Sequence, residues 1–307
     1  MLRRRMEPKI RRITDKSGDY AEITGGSGIG RVLRIPDEVD GLPVRSVCGH
    51  AFERNQVIEE VILPDTLLQV GGFAFYGCGK LRKISVSDHT EGWGNGVLRL
   101  CDSLSHVEFR VHRGRYAVLR DLLAGVDCRL YLKIVENGEE TELYFPAYVR
   151  GFDEDTFARA IHSWIEGAGY AYRETVERQG VHMRNYDALF ARARAEGTES
   201  GARVALSRLM YPKALRMEMK TEYECYLRQN AEEVIRLLLD ERSMEARKRV
   251  FFLAGNGLLT AEAADAGALI SSGMRDSEMT ALLMSCGTRG RAAYEESDGD
   301  FFDPGDL

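Results

Sequence analysis

What this 307-residue chain lacks narrows its class before any motif is read. Its six cysteines, Cys48, Cys78, Cys101, Cys128, Cys225 and Cys286, are scattered, with no CxxC and no paired Cys/His spacing. Structural zinc needs thiolates and imidazoles presented in close pairs, so no such metal is expected and the thiols read as free and buried. No apolar run approaches the length of a membrane span, and no apolar segment follows the N-terminal arginines as in a signal peptide. A cytoplasmic setting, without membrane contact, is the resulting expectation. A net charge of −6 gives no overall drive towards nucleic acid.

Charge concentrates at the two ends instead. "MLRRRMEPKIRR" holds six Arg or Lys against one Glu, and "YEESDGDFFDPGDL" holds six Asp or Glu and no base. We read residues 1–18 as a solvated basic arm and residues 291–307 as a disordered acidic tail. The alternative for the arm is contact with an acidic partner such as RNA or a membrane surface.

One stretch suggests a cofactor. "ITGGSGIGRVLRIP", residues 23–36, is one residue short of the TGxxxGxG loop of short-chain dehydrogenases. A dinucleotide loop needs a helix after its glycines, whose free N–H groups face the pyrophosphate. Here the next residues are β-rich, Pro36 follows Gly30 by six positions, and no βαβ context supplies the distal acidic residue. The glycines are expected to turn a hairpin between the alternating "DYAEIT" and the strand "RVLRIP". No cofactor is expected.

The informative pattern lies between residues 47 and 109. "VCGHAFERNQVIEEVIL", "VGGFAFYGCGKLRKISV" and "WGNGVLRLCDSLSHVEF" begin at Val47, Val70 and Trp93, 23 residues apart each time. Phe52, Phe75 and Leu98 correspond, as do Asn55, Cys78 and Cys101. So do Ile58, Leu81 and Leu104, then Val61, Ile84 and Val107, then Leu63, Val86 and Phe109. A fixed period of this size means stacked coils that share one core. "IEEVIL", "LRKISV" and "LSHVEF" read as short strands, which stacking brings into a small parallel sheet at about 4.8 Å spacing. "RVLRIP" falls into the same register, Leu33 matching Val61 and Ile35-Pro36 matching Leu63-Pro64.

"AFYGCGKLRKI" and "IPDEVDGLPVRSV" resemble the leucine-rich repeats of the BspA-like type over residues 19–109. The third coil departs from that pattern, with Trp93 at an aliphatic site and "VL" in place of "AF". The resemblance implies a small buried residue at Cys78 and Cys101, and an insertion in the first coil, seen here as "DGLPV". The adhesive roles of exported family members are not carried over.

Beyond Phe109 the period fails. "RLYLKIVENGEETELYFP" holds two strands around Asn137-Gly138, a hairpin signal that would close the sheet edge. From Asp153 the spacing of Phe157, Ile161, Trp164 and Ile165 predicts a helix with an acidic start. Further helices are expected around Tyr186–Ala193, Ala202–Leu209, Tyr223–Leu239, Met244–Ala254, Ala261–Ser271 and Ser277–Met284. Their short separators imply paired helices of ankyrin-like shape, without the TPLH motif. "DTFARAIHSWIEGAGYAYRE" and "ALSRLMYP" are similar to a helical segment that follows BspA-like repeats in some bacterial proteins, and that likeness supplies no catalytic residues. The expected fold is α+β: a solenoid with its closing hairpin over 19–150, then a helical domain over 151–290.

Chemistry-bearing constellations are weak. His162 and Glu166 stand at i, i+4, which on a helix faces two ligands one way but leaves a metal without its third. Cys225 or Cys286 with His162 or His182 lacks a nucleophile signature. The tyrosine-rich "GAGYAYRETVERQGVHMRNYDALF" reads as a buried corner with satisfied hydroxyls, the alternative being an exposed site for a ligand or peptide. The alternating register leaves Val32 and Arg34, Glu60 and Ile62, Lys83 and Ser85, and His106 and Glu108 pointing outward from the strands. Mixed charge with apolar residues suits a protein or peptide partner better than nucleic acid, which calls for a basic stripe. The expected function is an interaction scaffold without catalysis. The alternative is a hydrolase or nucleotide-dependent enzyme with its site in the helical half.

Overall fold

A coil this short cannot bury its own apolar side chains, so successive coils stack and share one core. The computed structural model describes the backbone of residues 6–16, 18–155 and 160–299, and their side chains except at 152–163 and 289–299. The chain divides into two units, residues 1–192 and 193–307, so the first reaches well beyond the expected boundary at 150.

The first unit opens with an antiparallel pair, β1 (Glu7–Asp15) and β2 (Gly18–Ser27). The solenoid strands follow: β3 (Val32–Arg34), β4 (Glu38–Val39), β5 (Leu42–Val47), β6 (Glu60–Ile62), β7 (Gln69–Val70), β8 (Lys83–Ser87), β9 (Gly92–Trp93) and β10 (His106–Val111). They build about five turns. Two sheets result rather than one: β1-β2-β5-β7-β9, with β4 beside β5, and a second containing β10-β8-β6-β3. The strands from β5 to β9 and from β3 to β10 run parallel within their sheets.

The register between coils follows the 23-residue period. Leu33, Val61, Ile84 and Val107 align across the second sheet and all are buried. Opposite the sheets, the "AF" segments form stacked turns that make a third ladder: Phe52 N donates to Ala74 O at 2.9 Å and Phe75 N to Val97 O at 3.1 Å. The Phe52 and Phe75 rings stack with centroids 5.4 Å apart. Cys78 Sγ donates to Phe52 O and Cys101 Sγ to Phe75 O, each at 3.2 Å, one coil apart. Burial pushes the Cys101 thiol up to about 12, which leaves it inert.

Two expectations at the N-terminal end are corrected. Residues 7–15 of the supposed arm are a strand, with Ile10 and Ile13 half-buried and Arg11 and Arg12 paired to Glu22 and Asp19 of β2. Cationic side chains on an outermost strand discourage pairing with another chain. The glycine stretch is not a hairpin between β2 and β3. Gly25 and Gly26 lie inside β2, whose partners are β1 and β5, and β3 belongs to the other sheet. The chain turns a corner of the coil there, and β3 follows instead of a helix.

At the other end, α1 (Ala117–Ala124) buries Val118, Leu119, Leu122 and Leu123. β11 (Leu130–Glu136) then adds parallel to β10, and β12 (Glu139–Phe145) returns antiparallel to it. The turn between them is Asn137-Gly138, at φ 53° and 83°, the left-handed pair that a two-residue hairpin of this twist requires. The expected closing hairpin is therefore present.

The helix expected from Asp153 is absent. β13 (Val149–Asp155) pairs antiparallel with β14 (Ala160–Glu166), and Phe157 lies outside the described residues. Trp164 and Ile165 sit opposite Gly151 and Arg150. A Cβ at Gly151 would fall 2.1 Å from the Trp164 ring, so the bare backbone makes room for the indole. Short pieces follow: α2 (Gly169–Arg173), β15 (Val176–Glu177), β16 (Gly180–Val181), α3 (Met183–Ala188) and α4 (Phe190–Ala195). They form the tyrosine corner read from the sequence. Tyr172 and Tyr186 are fully buried edge-to-face at 4.7 Å, and Tyr186 OH donates to Tyr144 O at 2.6 Å.

Arg173 ties this corner to the closing strands. It is 4% exposed, and its guanidinium donates to Val126 O and Pro146 O at 2.8 Å, to Gly169 O at 2.9 Å and to Cys128 O. The cation also lies over the Tyr148 ring at 5.0 Å. Burial lowers its pKa from the ordinary value, and fixed carbonyl dipoles take the place of water around the charge.

The second unit is helical: α5 (Thr198–Met210), α6 (Met217–Gln229), α7 (Ala231–Asp240), α8 (Met244–Gly255), α9 (Ala261–Gly273) and α10 (Ser277–Gly299). The single helix expected over Tyr223–Leu239 is split at Asn230. α10 carries helical backbone through 291–299, where a disordered tail was expected, and 300–307 lie outside the described residues. Helix α7 packs on α8 and α9, and α9 on α10. The turn before α8 recurs before α10: Arg242 and Arg275 both take positive φ, and Ser243 and Asp276 then accept from Ala246 N and Met279 N. Capping oxygens of this kind satisfy free N–H groups and stop the preceding helix from running on.

The tightest geometric demand in the stack falls on Gly71 and Gly94. A Cβ on Gly94 would lie 2.3 Å from Gly72 N, and one on Gly71 would lie 2.3 Å from Gly49 N. Gly94→Ala is expected to destabilise the protein by about 1–3 kcal/mol through overpacking against backbone. Urea unfolding measures it, and an unchanged midpoint would show that the coils have room to separate.

Candidate partner-binding face

The outer surface of β3, β6, β8 and β10 is built by alternation: on each strand, one side chain in two points away from the core. All eight residues expected there meet in two rows. The first row pairs Val32, Glu60, Lys83 and His106, and the second pairs Arg34, Ile62, Ser85 and Glu108. Val32 is 53% exposed and Arg34 is exposed, whereas Glu60, Ile62, Lys83, His106 and Glu108 are half-buried.

Lys83 stands between two carboxylates. Its Nζ lies 3.4 Å from Glu60 and 3.1 Å from Glu108, so the charges alternate from coil to coil. Burial works against the Lys83 charge, but the two carboxylates outweigh it and raise its pKa above the ordinary value. Burial likewise opposes the Glu108 charge. Hydrogen bonds from Lys83 and from Ser85 Oγ, the latter at 3.0 Å, outweigh it and lower that pKa.

Ser85 is not available on this face. It is 2% exposed, covered by Glu108 and by Arg110, whose guanidinium bonds Ser85 Oγ, Leu63 O and Asp65. Sequence reading stopped the outward set at Glu108. One more step of the same alternation along "HVEFRV" reaches Arg110. The rows also run on past the repeats, into Tyr131 and Lys133 of β11. Tyr131 and Tyr144 are buried, their rings 5.1 Å apart, so the exposed part of the surface ends near His106.

The other candidates do not assemble. His162 and Glu166 lie on β14, where four residues span about 13 Å, too far for one ion; the His162 side chain is outside the described residues. His182 caps α3 by accepting from Asn185 N at 3.3 Å. Cys225 accepts from Gln229 Nε2 at 3.3 Å on the exposed side of α6.

This architecture defines a leucine-rich-repeat solenoid. Residues 37–113 match the family described as "BspA type Leucine rich repeat region", with six copies. The match stops at residue 113, ahead of the helical unit. Solved structures that align with part of the chain include a leucine rich cell surface protein from Faecalibacterium prausnitzii A2-165, at 19% identity and TM-score 0.28 over 42% of this chain and 37% of that one. A leucine-rich repeat protein from Bacteroides ovatus aligns at 19% identity and TM-score 0.31 over 42% and 36%. The Leucine Rich Repeat protein of T. pallidum aligns at 21% and TM-score 0.22 over 32% and 68%. The chain thus spans little more than a third of the first two. No curated protein matches it.

The lowered Glu108 pKa makes its ion pair a source of stability that is present above the ordinary carboxyl value of about 4.3 and is lost as pH falls through the lower folded value. Glu108→Gln is therefore expected to be less stable than the parent at pH 7 and to approach it by pH 3. Urea midpoints across that range check this, and a gap that stays constant would show that the pair contributes nothing.

Proposed function

We propose that the chain is a protein-interaction scaffold that docks a protein or peptide through the exposed outer face of β3, β6, β8 and β10. Leucine-rich-repeat proteins are typically such scaffolds. The observation that carries the assignment to this face is the in-register Glu60–Lys83–Glu108 ladder, flanked by Ile62 and by exposed Val32 and Arg34. Charges of alternating sign beside apolar side chains favour a partner of complementary charge and select against a poly-anion. A cytoplasmic setting belongs to the same reading, since the buried Cys78 and Cys101 thiols each donate to a carbonyl and suit a reducing compartment.

No catalysis is part of this proposal. The helical unit has a cavity of ≈ 550 Å³ lined by Arg242, Arg247 and Asp276 among others. Two of its ionisable groups pair with each other: Arg247 bonds Asp276, and also the neighbouring Glu278, and the hydrogen bond from Arg247 lowers the Asp276 pKa. A general base poised near neutral pH needs the opposite shift. Among the described residues, this cavity lends no support to the hydrolase or nucleotide-dependent alternative.

The triple variant Glu60→Lys/Lys83→Glu/Glu108→Lys keeps the internal ion pairs but inverts the pattern that a partner meets. In-cell crosslinking is expected to lose at least roughly ten-fold of the partner adducts in this variant, and to keep them in Arg242→Glu on the helical unit. Equal adducts from both would remove the face from consideration.

A further inference from the structure

A separate cluster forms at the corner where the chain leaves β6, β8 and β10. Thr66, His89 and His112 occupy equivalent positions 23 residues apart, so two imidazoles sit one above the other on adjacent coils. Their ring centroids are 5.0 Å apart. Asp65, one coil further, places Oδ2 3.5 Å from His112 Nε2, while its Oδ1 is held by Arg110 at 2.9 Å. One ligand atom from each of Asp65, His89 and His112 lies within 4.8 Å of the other two.

The surroundings fix this arrangement. Asp88, 1% exposed, accepts from the backbone N–H groups of His112 at 3.0 Å, Arg113 at 2.6 Å and Arg115 at 3.3 Å. It thereby anchors the segment carrying His112 beside its own neighbour, His89. The Nδ1 atom of His89 is buried and makes no hydrogen bond, with Asp88 Oδ1 3.8 Å away. A buried ring nitrogen without a partner costs stability unless something else occupies it.

We propose that Asp65, His89 and His112 form a binding site for a divalent transition-metal ion of the zinc class. Two imidazoles and one carboxylate are the donors that zinc, cobalt and nickel take, whereas calcium and magnesium require a shell of oxygens. Ligand atoms around tetrahedral zinc lie about 3.5 Å apart. Rotation of the exposed Asp65 and His112 side chains closes the set to that size. The absence of paired cysteines does not bear on this site, because it uses none. An ion held here bridges three successive coils.

Calorimetric titration of the untagged full chain with Zn²⁺ tests the assignment, with His112→Ala and Asp65→Asn beside the control His182→Asn, which retains a capping side chain. We expect one equivalent to bind the parent and the control. Affinity should fall by at least about ten-fold in the two site variants. Co²⁺ should give a visible absorption band that is lost in the same two variants. Equal melting temperatures in EDTA separate lost ligation from lost fold. Because Asp65 also anchors Arg110, the exposed His112 carries the decision. No saturable Zn²⁺ binding by the parent, or undiminished binding by His112→Ala, overturns the assignment.

Discussion

The first unit depends on how closely the backbones of neighbouring coils approach. At Gly71 and Gly94 a methyl group would collide with the backbone of the preceding coil, and the sheet strands sit at the roughly 4.8 Å interval that hydrogen bonding dictates. Once that contact is made, any two residues 23 positions apart are superposed, whatever their chemistry. The phenylalanines become a stack, the cysteines a column of thiols each reaching a carbonyl of the coil before, and the histidines a facing pair. Alternating charge along the outer rows follows from the same superposition. Glu60, Lys83 and Glu108 are remote in sequence, and only the stacking makes them neighbours.

A stack of this kind has two ends that its own repeats cannot close, and the chain closes them in different ways. At the start, β1 lies antiparallel on β2 and presents lysine and arginine outward. At the far end the sheet is extended by β11 and turned back by β12, so that the last strand is antiparallel to its neighbour. These ends are irregular because they must satisfy a coil on one side only.

The sequence disclosed the parts of this design that repeat. The 23-residue register located the inward columns and the outward rows, and the Asn137-Gly138 turn signal located the closing hairpin. It did not disclose the second sheet, because β7 and β9 are two residues long and leave no alternation to read. The first strand was hidden by its charge, since Ile10 and Ile13 are separated by arginines that answer to Glu22 and Asp19 across the pair. Between Val149 and Glu166 the apolar spacing fits either a helix or a strand, and cross-strand packing of Trp164 on Gly151 decides it. On the outer face, Ser85 read as exposed because its cover, Arg110, comes from the next coil. The histidine pair went unread for a simpler reason: each lies just beyond the strand in which the repeats are most alike.

Arg173 gives the fold an order in time. The repeats are made first, and each coil has a neighbour to rest on as soon as the next is synthesised. The carbonyls of Val126, Cys128 and Pro146 wait for a side chain encoded well after them. Until residue 173 has emerged, these acceptors lack their cation, although β11 and β12 already extend the sheet beyond the last coil. A nascent chain therefore passes through a stage in which its repeats and closing strands are complete while the carbonyls beside them still lack the charge that gathers them.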